Sequence, residues 1–172
     1  MNIAYPLRQI AVITGFEARR KVLSWRMLFP MLCAAIICVL AYSNGSGAAS
    51  GLDGTEASNA VLRPFVASAS LVLAICATVM STESLSEEFE RGSGYITFTK
   101  PLSRNVLLAG KFLSGFLPSV VVLAFYYAVT FAACFAVVGD VPGRAFAAIP
   151  LAVLYLVAVT GAVSYTHLSC RR

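Results

Sequence analysis

The side chains of this chain that could do chemistry crowd into one interval. Glu87, Glu88, Glu90 and Arg91 come first, Gly92 and Gly94 follow, and Lys100, Arg104 and Lys111 complete it. Carboxylates and cations at such spacing suit proton transfer, metal binding or the docking of a charged partner. The first two lack their usual company. No Cys/His ligand spacing is present, and the one histidine, His167, reads as a surface residue. Cys33, Cys38, Cys76 and Cys134 lie inside apolar runs, where a free thiol behaves as a small hydrophobe; Cys170 sits in the tail. A G-x-x-x-x-G-K-[ST] phosphate loop is missing too. Gly110-Lys111 lacks the upstream glycine and is followed by Phe112. No cofactor site is therefore expected on this chain, and docking remains.

The elements that must position this interval are apolar helices. Apolar residues make up 59% of the sequence, charged residues 12%, and the mean hydropathy is +0.81. A soluble domain carries about 25% charge. The net charge of +5 flanks apolar runs and does not gather into one basic face, which argues for a membrane and against nucleic acid. Four runs stand out, over residues 27–42, 64–82, 112–139 and 145–165. They predict an all-α, multi-pass transmembrane helix bundle forming a single domain. The first run is short, since about 20 residues cross a hydrocarbon core. Trp25 and Tyr42 suit interfacial anchors on either side of it, and Pro30 is expected in its first turn. A cleavable signal peptide is the rival, but its charged leader would be 26 residues long.

The remaining segments read as connections. Residues 1–26 fit either an interfacial helix, with Ile10, Ile13 and Phe16 facing lipid, or a plain basic flank. Residues 43–60, rich in Gly, Ser and Ala, are expected to form a flexible loop. Asp140-Val141-Pro142-Gly143 has the residue types of a turn. Ser68, Ser70, Thr78 and Ser81 in the second run suit close helix packing better than a polar substrate path. Orientation follows from the cations. Segment 1–26 holds Arg8, Arg19, Arg20, Lys21 and Arg26 against one acid, Glu17. Segment 83–111 holds Arg91, Lys100, Arg104 and Lys111; 43–60 holds none, and the last turn only Arg144. The N-terminus and 83–111 are therefore expected in the cytoplasm.

Within 83–111, Leu85 to Arg91 can prolong the second span, with Glu87 and Arg91 at the favourable i,i+4 spacing. Gly92-Ser93-Gly94 breaks that helix, and Tyr95 to Thr99 reads as extended. Lys100-Pro101 keeps the chain out of the α region. Ser103 is placed to cap a helix that starts at Arg104. The chain thus leaves the membrane, turns and returns as a short, shaped connector.

The run Glu87-Glu88-Phe89-Glu90-Arg91-Gly92-Ser93-Gly94-Tyr95-Ile96, then Lys100-Pro101-Leu102-Ser103-Arg104, then Leu107-Leu108-Ala109-Gly110-Lys111-Phe112-Leu113, resembles the signature of ABC-2 type transporter permeases. The resemblance implies the membrane-spanning subunit of an ATP-driven ABC transporter, in a bacterial-type plasma membrane. It implies two partners: a second permease copy, and a separate ATPase subunit that binds the ATP. The ATPase would engage Glu87, Glu88, Glu90, Arg91, Gly92, Pro101, Arg104 and Lys111, in a role of coupling and not of chemistry. Members of the family usually have six spans and this chain has four; residues 164–172 read as a non-native or truncated end. A membrane anchor or scaffold that recruits a soluble partner through 83–111 is the alternative, and a membrane-embedded enzyme is a third.

Overall fold

The computed structural model describes residues 4–90, 104–139 and 141–169. Among the described residues there are five helices: α1 (Ala4–Val22), α2 (Trp25–Ala49), α3 (Gly54–Glu90), α4 (Arg104–Val138) and α5 (Gly143–Ser169). Four of them hold stretches long and apolar enough to cross a membrane: Trp25–Ala49, Gly54–Ser81, Ala109–Val138 and Ala145–Val163. The chain is a multi-pass, all-α membrane protein, as the four apolar runs predict.

α3 is the hub, packed against α2, α4 and α5, while α1 lies against α4. The α2–α3 seam explains the closest approach. Ala34, Cys38, Ala41, Gly45 and Ala49 recur every three or four residues on α2 and are all buried. Small residues on one face let two backbones come together in lipid. Gly45 is the tightest point, because a Cβ there would sit 3.0 Å from the backbone of Val61. Across the bundle, Leu73 and Ala77 of α3, Leu123 of α4, and Ala152 and Leu156 of α5 form a second cluster. The cysteines follow the same logic: Cys38, Cys76 and Cys134 are free and buried. Leu28, Phe29, Leu32, Ile36, Val39 and Leu40 of α2 point outward, an apolar face suited to acyl chains.

Two expectations from composition are corrected. Residues 43–60 are not a flexible loop: α2 continues to Ala49, α3 starts at Gly54, and only a four-residue turn separates them. Ser43, Asn44, Ser46 and Ser50 donate to carbonyls one turn back, at 2.6–3.3 Å, so their polar groups are satisfied within the helix. Buried Gly45 then gains packing that outweighs its weak helix preference. Pro30 lies beyond the first turn, because α2 begins at Trp25 under a Ser24 cap whose hydroxyl accepts from the Arg26 amide.

Other expectations hold. α3 runs on past Ser81 as helix to Glu90, and α4 begins at Arg104. Gly139, with φ of 79°, ends α4 before the turn into α5. The glycine break at 92–94, the extended 95–99, Lys100-Pro101 and the Ser103 cap lie outside the described residues.

Candidate functional site

The polar contacts of the bundle gather where α1 meets α3 and α4. Gly110 admits α1, since a Cβ there would come within 3.0 Å of Ile13 Cγ2. Beside it, the Thr14 hydroxyl donates to the Gly110 carbonyl at 3.3 Å. One turn on, Glu17 Oε2 accepts from the Ser114 hydroxyl at 2.7 Å, and Glu17 Oε1 lies 3.9 Å from Lys111 Nζ. One further turn on, Lys21 Nζ donates to the Met80 carbonyl of α3 at 2.9 Å. Thr14, Glu17, Ala18 and Lys21 thus form one face of α1, at helical spacing, and Thr14, Ala18 and Lys21 are buried on it.

This geometry changes the reading of α1. Lys21, counted among the cations of the basic segment 1–26, is 7% exposed and reaches into the protein. The proposed lipid stripe is split: Ile13 packs against α4, whereas Phe16 faces outward together with Val12. Arg8, Arg19 and Arg20 also remain exposed. The helix therefore has a protein face and a membrane-compatible face, where composition alone left a basic flank as an equal reading.

The junction is electrostatically costly to disturb. The Lys111 side chain is 5% exposed and that of Glu17 is 20% exposed. Breaking a fully buried pair typically costs about 3–5 kcal/mol, and the partial exposure of Glu17 puts this pair at the lower end. A hydrogen bond from a charged donor such as Lys21 contributes about 1.5–3 kcal/mol. The Ser81 hydroxyl, at the same level, is buried without a hydrogen-bond partner among the described residues.

Of the residues read as coupling positions, Lys111 lies in this junction. Glu87, Glu88 and Glu90 lie on the last turns of α3, and Arg104 opens α4. Arg91, Gly92 and Pro101 lie outside the described residues. Sequence reasoning missed Thr14, Glu17, Lys21 and Ser114 as a set. The available signal was Glu17, the one acid in an otherwise basic segment, opposite the Gly110-Lys111 pair.

Higher in the bundle, Ser68 is a packing residue. Its hydroxyl pairs with Tyr126 at 2.8 Å, and the Tyr126 hydroxyl also donates to the Phe65 carbonyl. Thr78 and Ser70 turn back to their own helix. Among the described residues no group of three or more His, Cys, Asp or Glu could hold a metal ion.

No curated protein and no solved structure matches the chain. The family described as ABC-2 family transporter protein matches residues 13–167, a stretch that takes in all four spans and the α1 junction. A match over that much of the sequence, on a four-span helical bundle, makes this chain a member of the ABC-2 transporter family.

Proposed function

We propose that the chain is the membrane-spanning permease subunit of an ATP-driven exporter in a bacterial-type plasma membrane. ATP is bound and hydrolysed on a separate ATPase subunit, and a second permease copy completes the transporter. The cation count supports a cytoplasmic side for the α1 junction and segment 83–111. There the ATPase engages Glu87, Glu88, Glu90, Arg91, Gly92, Pro101 and Arg104. Lys111 serves as a positioning residue, because its described carboxylate partner is Glu17 of the same chain.

The observation that carries this reading is the tying of α1 to both roots of the connector. α3 leaves the bundle as unbroken helix to Glu90, and α4 returns from Arg104. Lys21 fastens α1 to α3 at Met80, and Glu17 fastens it to α4 at Ser114 and Lys111. A displacement of the connector is thereby passed to three rigid helices at once. Rocking of these helices would expose the substrate path alternately to the two sides.

The full-length protein should co-purify with an ATP-binding subunit and raise that subunit's rate of ATP hydrolysis. Glu88→Arg and Arg104→Glu should abolish the stimulation while leaving membrane insertion intact. Retained stimulation in both variants rejects these residue roles, and capture of no ATP-binding subunit rejects the coupling.

A further inference from the structure

At the end of the bundle opposite α1, a cleft opens between α3 and the start of α5. Its volume is about 480 Å³, and Asn59, Leu62, Arg63, Val66, Ala67 and Ala145 line it. That volume lies within the roughly 300–1,000 Å³ of small-molecule sites. Asn59, Arg63, Val66 and Ala67 share one face of α3 at spacings of four and three or four. The adjoining space, lined by Phe65, Tyr126, Tyr127 and Thr130, has only about 10 Å³ of open volume. That is room for about one water, so the open volume lies beside Arg63 and not behind Phe65 and Tyr126.

Arg63 gives the cleft its chemistry. It is the one Lys or Arg between Arg26 and Arg91. Its side chain is exposed, and among the described residues it has no ion-pair or hydrogen-bond partner. Its depth follows from the helix. If the charged junction at Met80 is taken as one membrane boundary, about 20 residues of helix from there span the hydrocarbon core. Counting back along α3 from Ser81 reaches the turn that holds Arg63. The guanidinium therefore lies at the level of lipid headgroups, with the apolar wall of Leu62, Val66 and Ala145 beside it.

We propose that this cleft seats an anionic membrane lipid of the leaflet opposite α1. The lipid phosphate pairs with Arg63, its neighbouring oxygens accept from the Asn59 amide, and an acyl chain runs along Val66 and Ala145. Arg63 suits this role because its planar fork of donors matches a phosphate. The site stands apart from the coupling reading, since lipid retention is measured without an ATPase.

The test is native mass spectrometry of the full-length protein, delipidated and then supplied with phosphatidylglycerol or phosphatidylethanolamine. The wild-type protein should retain phosphatidylglycerol in preference. Arg63→Ala should weaken that retention about tenfold or more, the effect of losing one charge-assisted contact. Arg63→Lys should restore part of it. A photoreactive residue in place of Val66 should cross-link to lipid. Equal retention of the two lipids, unchanged retention in Arg63→Ala, or cross-linking of position 66 to a second copy of the chain would each overturn the proposal.

Discussion

The two ends of the bundle are held by opposite means. At the α1 end, Glu17, Lys21, Lys111 and Ser114 make charged or hydrogen-bonded contacts between helices. At the far end, Ala41, Gly45 and Ala49 of α2 slot against Ala57 and Val61 of α3, with no charge between them. Directional contacts hold a small helix at a chosen place and angle. Close packing of small residues holds two long helices along their length, but with no comparable penalty for a small slide. The proposed coupling role asks for motion at one end and a seal at the other, and this difference suits it.

The contrast breaks first at Glu17. Glu17→Ala takes the carboxylate away from Lys111 and leaves the Ser114 hydroxyl only the Lys111 carbonyl, and we expect a loss of about 3 kcal/mol, concentrated in α1. Trypsin cleavage after Arg19 and Arg20 should accelerate sharply in the variant, while the four spans keep their resistance. Equal cleavage in variant and wild type would place the hold on α1 elsewhere. At the far end, Gly45→Val drives a side chain into the Val61 backbone, which a Cβ already approaches at 3.0 Å. We expect about 1–3 kcal/mol of destabilisation, read as a lower unfolding midpoint in detergent, with α1 cleavage unchanged. The smallest effect belongs to the middle. Tyr126→Phe removes the hydroxyl that Ser68 and the Phe65 carbonyl share, and should cost about 0.6–1 kcal/mol, since polar contacts inside lipid are individually weak. A larger loss would mean that this pair, and not the α1 junction, organises the polar interior.

Much of the architecture was legible because lipid imposes a simple rule. A span needs length and apolar character, and the runs at 64–82, 112–139 and 145–165 have both. The start of α4 at Arg104 was equally readable, as was the run of α3 beyond the membrane. The candidate site was legible only in part. Lys111 stood out within the family-like motif, but its partner is Glu17, 94 positions earlier in the sequence. No local spacing announces such a pair. The cleft beside Arg63 was harder still, because it forms between α3 and α5, and an isolated arginine ahead of an apolar run reads as an ordinary flank.

The sequence by itself determined how many helices cross the membrane, which segments carry cations, and where the charged connector lies. These depend on composition and on contacts within a few residues. Only the tertiary structure decided that Ser43 to Ala49 is helix, that Lys21 turns inward, and that Glu17 meets Ser114 and Lys111. In each case the local preference was weak or opposed. Glycine and serine favour turns, and a lysine at a membrane surface favours water. The balance shifted because a neighbouring helix supplied a close apolar seam for Gly45 and a carbonyl for Lys21.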